Sequence, residues 1–116
     1  MYWSIMHSPE LIKGTLQTII LKLLADHGRM YGYEITQKVK LLSEGTLVLT
    51  EGALYPTLHR LEAEGLLQTE KVAMGKRIRK YYHLTDTGNS TVVDKINEFK
   101  AFVQTMNEVL QLKSSV

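Results

Sequence analysis

The sequence predicts a mainly α-helical fold with one small β-hairpin, and three observations carry that prediction. Apolar residues recur at three- and four-residue steps through the first half of the chain. Two strand-compatible stretches, 66–73 and 78–85, flank a turn at Met74-Gly75-Lys76-Arg77. Beyond residue 85 the apolar spacing becomes that of a heptad repeat.

The first helix is marked by Leu11, Ile12, Leu16, Ile19, Ile20, Leu23 and Leu24. Ser8-Pro9-Glu10 supplies an N-cap, a first-turn proline and an early acid, and Gly28 supplies the stop. Gly14 loosens the first turn, so the regular helix is expected from about Thr15. A second, shorter helix follows Gly32 with Ile35, Val39 and Leu42 on its apolar face, and Gly45 breaks it. Leu47-Val48-Leu49 fits either a short strand or a buried connection.

Thr50 then reads as an N-cap with Glu51 in the first turn, Leu54, Leu58 and Leu61 facing inward, and Gly65 as terminator. Pro56 lies inside this third helix and predicts a kink or a later start, because proline loses a hydrogen bond and crowds the preceding turn. In the hairpin, alternation puts Ile78, Lys80, Tyr82 and Leu84 on one face and Arg79, Tyr81, His83 and Thr85 on the other.

Thr85 caps a last helix whose apolar residues Val92, Ile96, Phe99, Val103, Met106 and Leu110 step 4-3-4-3-4, with Phe102 and Val109 widening the seam. Such a helix, about 25 residues, exceeds what a small core needs. A second copy of the chain is the simplest cover for it. Helix, helix, helix, hairpin and long helix is the order of a winged helix-turn-helix, residues 1–85, followed by a C-terminal dimerisation helix, residues 86–116.

Composition narrows the function classes. The chain has 116 residues, is 44% hydrophobic and 22% charged, and holds two prolines. It has no cysteine, which excludes disulfides, thiolate nucleophiles and sulfur-ligated zinc. No apolar run reaches the roughly 18 residues of a membrane span, and the start lacks the basic and apolar regions of a signal peptide. A cytoplasmic protein that does not enter membranes is the expectation. The four histidines have no metal-ligand spacing, and no nucleophile motif or phosphate-cradling loop is present. Neither enzyme activity nor a cofactor is expected.

Charge is distributed unevenly. Residues 1–70 carry six Lys or Arg against eight acids, residues 71–85 carry five cations and no acid, and residues 86–116 carry three cations and four acids. A basic block behind a compact helix points to double-stranded DNA, whose phosphates lie about 1.7 Å apart along the axis. On the third helix, small Gly52 and Ala53 allow close backbone approach, and Thr50, Tyr55, Thr57, His59 and Arg60 are candidates for phosphate or base-edge bonds. On the hairpin, Lys76 and Arg77 at the tip and Arg79 behind them are the candidate wing contacts. Lys71 and Lys80 fit a wing equally well as charges that keep a strand edge unpaired. A winged-helix module that binds proteins rather than DNA is the alternative reading.

Three motifs also resemble one family. Tyr31-Gly32-Tyr33-Glu34-Ile35, then Glu51 through Glu62 with Leu54-Tyr55-Pro56 and Leu58-His59-Arg60-Leu61, then Arg79-Lys80-Tyr81-Tyr82-His83-Leu84-Thr85, closely resemble the PadR family of bacterial transcriptional regulators over residues 11–89. The resemblance implies a homodimeric repressor on an inverted-repeat operator and a phosphate contact from the Tyr33 hydroxyl. It is the smaller, single-C-terminal-helix members that the chain resembles. Some family members bind aromatic or phenolic compounds, which makes Trp3, Phe99 and Phe102 the candidate effector contacts.

Overall fold

Ser8 caps the chain's first helical turn as its sequence predicts. Its Oγ accepts a hydrogen bond from the Leu11 N–H at 3.3 Å, and α1 spans Pro9–Lys13. The structure is a computed structural model that describes residues 7–112. At Gly14 the helix breaks. The Thr15 hydroxyl donates to the Ile12 carbonyl at 3.0 Å, and the regular helix α2 runs Leu16–His27. Its inner stripe, Leu16, Ile20, Leu21, Leu23 and Leu24, is buried, so α2 is the spine of the core.

The strand β1, Met30–Tyr31, comes next and was not expected. A two-residue strand carries no periodicity, so nothing in the sequence distinguishes it from a helix lead-in. It turns directly into α3, Gly32–Leu42, with the Glu34 carboxylate accepting from the Tyr31 N–H at 3.1 Å. Ile35 and Val39 are buried as expected, but Leu42 is exposed because the last turn runs past the core. Residues 43–50 form a connection rather than a strand, and of Leu47-Val48-Leu49 only Leu49 is buried while Val48 is exposed. Ser43 Oγ accepts from the Leu47 N–H at 3.0 Å.

The helix α4, Glu51–Ala63, starts at Thr50, whose hydroxyl accepts from the Ala53 N–H at 3.2 Å. Pro56 does not delay its start and lies inside a helix that continues past it to Ala63. The proline withholds one N–H from the Gly52 carbonyl, but Gly52 is exposed and water can take that place. Leu54, Leu58 and Leu61 are wholly buried against α2 and the sheet.

Strands β2, Leu67–Met74, and β3, Arg77–Leu84, pair antiparallel, and β1 joins on the other side of β3 in the order β1-β3-β2. Gly75 takes φ 63° as the first of two turn residues, a position that glycine fills without strain. The alternation holds: Tyr82 is buried, and Tyr81, opposite Tyr31, lies on the outer face.

The last helix, α5, runs Asp86–Val109 from an N-cap at Thr85, whose hydroxyl accepts from the Gly88 N–H at 3.0 Å. Its first turns pack on α2. Val92 is 5% exposed inside the core of the single chain, so its expected place in a dimer seam is corrected. Ile96 is half-buried against the same core. From Phe99 onward the helix leaves the body of the fold, and Phe99, Phe102, Val103 and Leu110 are exposed, with Met106 half-buried.

Candidate nucleic-acid interface

The start of α3, Tyr55 of α4 and the distal half of the hairpin meet around one open cleft of about 360 Å³. Tyr31, Gly32 and Tyr33 form one wall, Tyr55 lies on the floor, and Arg77, Arg79 and Lys80 form the wing side. No acid lines it. The first residues of α3, Gly32 and Tyr33, are themselves part of the lining, and a helix N-terminus carries partial positive charge. The cleft therefore offers cations and hydroxyls to a polyanion.

Tyr33 is 63% exposed, placing its ring and hydroxyl at the cleft mouth. Neither tyrosine of the Tyr31-Gly32-Tyr33 motif is buried: Tyr31 is half-buried under the sheet's outer face. The Tyr55 hydroxyl lies so close over Gly32 that a side chain there would have to push the tyrosine ring aside.

On α4, Thr50, Gly52, Ala53 and His59 are exposed as expected, with the His59 ring 6.5 Å from that of Tyr55. Arg60 is exposed too but is tied back toward α2: with the Gln17 amide oriented oxygen-first, that oxygen accepts from Arg60 Nη2 at 2.8 Å and Nε at 3.1 Å. Thr57 is a correction. It is 8% exposed, and its hydroxyl donates to the Ala53 carbonyl at 3.0 Å, so it faces the core and cannot meet a groove. A polar residue type suggested the surface, but one turn of helix supplies its acceptor internally.

Lys76 and Arg77 are exposed at the wing tip, where no ion pair engages them among the described residues. Lys80 lies 4.0 Å from Glu62 of α4, a contact that ties the wing to the helix more than it projects outward. The Arg79 guanidinium lies 4.0 Å over the Tyr31 ring and makes a long 3.5 Å hydrogen bond to the Tyr81 hydroxyl. That hydrogen bond, with the neighbouring tyrosines, holds its pKa above the usual arginine value, so Arg79 is a fixed charge. Sequence reasoning named Arg79 but missed Tyr31, Tyr81, Ile78 and Met74 as its surroundings. The motif Arg79-Lys80-Tyr81 was the available signal for Tyr81.

This arrangement can be set beside known proteins. A family model described as the transcriptional regulator PadR-like family matches residues 20–94, which span α3, α4 and the whole hairpin. The chain belongs to the PadR-like family. The transcriptional regulator Rv3488 of Mycobacterium tuberculosis is 34% identical over 101 residues, covering 87% of this chain and 88% of that protein. Among solved PadR-like folds, a transcriptional regulator from Clostridium thermocellum aligns with a TM-score of 0.79 at 30% identity, covering 88% of this chain and 96% of that one. A PadR family transcriptional regulator from Eggerthella lenta aligns with a TM-score of 0.76 at 29% identity, covering 90% of this chain and 88% of that one.

PadR-like proteins are transcriptional regulators, not enzymes, and this chain is a winged-helix DNA-binding regulator of that kind. The mainly helical fold with a small antiparallel sheet and a long last helix is the one the sequence predicted. Among the described residues no helix is long and apolar enough to cross a membrane. Trp3, expected as an effector contact, lies outside the described residues.

Proposed function

We propose that this PadR-like regulator works as a homodimer that represses transcription by occupying an inverted-repeat operator. The cleft between α3, α4 and the wing carries the reading: it is open, lined by Arg77, Arg79 and Lys80, and lined by no acid. In it, one DNA backbone strand lies between the wing and the helix starts. Tyr33 and Arg79 bond its phosphates from opposite sides. The α4 start then enters the major groove, with Gly52 and Ala53 allowing close approach, Thr50, Tyr55 and His59 available to base edges or phosphates, and Arg60 reaching a phosphate only on leaving Gln17. Lys76 and Arg77 reach the neighbouring backbone or a narrow minor groove.

The dimer reading rests on α5. Phe99, Phe102, Val103 and Leu110 leave an apolar seam uncovered in the single chain, and a matching seam on a second copy covers it with the same contacts. Two heads held this way would meet successive major grooves about one helical turn apart. Phe99 and Phe102 also present rings on one side of α5. An aromatic effector binding there would shift the packing of the two copies and release the operator.

Fluorescence anisotropy against DNA from upstream of the protein's own gene, with a scrambled duplex for comparison, tests the reading. The expected result is tighter binding to the upstream DNA, weakened by salt. A folded dimer that binds neither duplex at low salt overturns it and returns the protein-interaction alternative.

A further inference from the structure

Four side chains from two stretches of chain, Arg29 with Tyr31 and Arg79 with Tyr81, form a stack along the outer face of the sheet. The Arg29 guanidinium lies 4.3 Å over the Tyr81 ring. Tyr81 meets Tyr31 edge to face at 5.5 Å and 83°. The Arg79 guanidinium then lies 4.0 Å over the Tyr31 ring. One end of the stack is anchored, because Arg29 Nη1 also bonds Glu70 of β2 at 2.8 Å. The other end opens into the cleft, whose lining includes both Tyr31 and Arg79.

We infer that Tyr31 and Tyr81 are positioning residues that hold the Arg79 guanidinium ready for a DNA phosphate, a role that rests on the DNA reading above. The chemistry of the guanidinium makes this workable. Its flat face is used by the Tyr31 ring, while its N–H donors radiate in the plane of the group. One of those donors is directed at the Tyr81 hydroxyl. The others remain for a two-point bond to phosphate oxygens, the geometry in which arginine outperforms lysine.

A free arginine side chain on a hairpin loses considerable rotamer freedom when it docks on an anion. Stacking restricts that freedom before DNA arrives, so less is lost on binding. Glu34 does not cancel the effect. Its carboxylate raises the Arg79 charge preference only weakly and is itself engaged by the Tyr31 N–H at 3.1 Å.

A double-mutant cycle on the full chain reads this directly. Anisotropy titrations use the duplex from upstream of the protein's own gene for wild type, Tyr31→Leu, Arg79→Ala and the pair, with Tyr31→Phe as the ring-preserving control. The expected result is a roughly 3- to 10-fold loss for Tyr31→Leu, from the lost cation–π contact and the added disorder of Arg79. Tyr31→Phe should stay near wild type. In the Arg79→Ala background, Tyr31→Leu should have no further effect. Arg79→Lys should fall between wild type and Arg79→Ala, since an ammonium keeps the charge but lacks the planar fork that bonds two phosphate oxygens.

Equal losses from Tyr31→Leu in both backgrounds would overturn the inference and mark Tyr31 as a general support of the fold. So would Tyr31→Leu binding as wild type. Thermal melts of each variant separate loss of fold from loss of contact, and Tyr31→Phe answers the question if Tyr31→Leu does not fold. If wild type binds no duplex, the DNA reading fails instead, and the cycle would have no signal to divide.

Discussion

The Tyr55 hydroxyl rests on the backbone of Gly32, so the α4 helix touches the start of α3 at the one residue of α3 that has no side chain. Two of the three sequence motifs meet at this contact. A methyl group on residue 32 would occupy the space of the Tyr55 hydroxyl and its ring edge.

Gly32→Ala should therefore cost about 1–3 kcal/mol, the usual range for overpacking, and should lower DNA affinity by swinging Tyr55 into the cleft. Urea titration and anisotropy measure the two effects. Adding Tyr55→Leu should return most of the lost stability without returning the affinity. A Gly32→Ala protein as stable as wild type would mean that Tyr55 has room to move that its surroundings do not suggest.

The wing tip should act through charge. Replacing Lys76 and Arg77 together by alanine should weaken binding to specific and scrambled duplexes alike. The log–log salt slope should shrink by about 1.8, for two phosphate contacts at roughly 0.9 each. An unchanged slope would remove both residues from the interface.

The two ends of α5 should respond differently to substitution. Val92→Ala opens a gap in the core and should destabilise the fold by about 1–3 kcal/mol. Phe102→Asp, on an exposed position, should leave the melting of the head nearly unchanged but halve the mass seen by light scattering. If Phe102→Asp leaves the mass unchanged, the seam beyond Phe99 is not what joins two copies.

Alkaline pH should expose the burial of Tyr82. Desolvation raises its pKa, with Glu62 and Tyr55 adding to the effect. The folded state thus holds this proton more tightly than the unfolded chain does. Its contribution to stability is complete below about pH 10, the unfolded tyrosine value, and is lost as pH climbs through the higher folded value. Tyr82→Phe should lose less stability than wild type between pH 8 and pH 11 in matched urea melts. Parallel losses would assign alkaline sensitivity to other groups.

Much of this fold could be read from residue order because its signals are local. Ser8, Thr50 and Thr85 cap the helices that follow them, and Gly14 breaks the first. The Gly75 turn sets the hairpin register, Met74 opposite Arg77. What escaped is non-local or double-valued. The stack joins Arg29 and Tyr31 to Arg79 and Tyr81 across some fifty residues of chain, and no spacing rule reports that. Val92 satisfies a heptad and a globular core equally well, so only the position of α2 decides its side. Thr57 carries a hydroxyl whose partner is its own helix. Pro56 looked disruptive because the solvent exposure of Gly52, which makes it tolerable, is a property of the folded molecule.

The strand of just two residues, Met30 and Tyr31, has a mechanical consequence. It is hydrogen-bonded to the middle of the wing strand, with Met30 opposite Tyr82 and Tyr31 opposite Tyr81, and it runs into α3 with no intervening loop. Wing and α3 are thereby clamped like two blades sharing one rivet, and neither can tilt without dragging the other. In the dimer proposed above, a stimulus at the far end of α5 would then alter how far apart, and at what angle, two heads are carried, rather than the tilt between wing and α3.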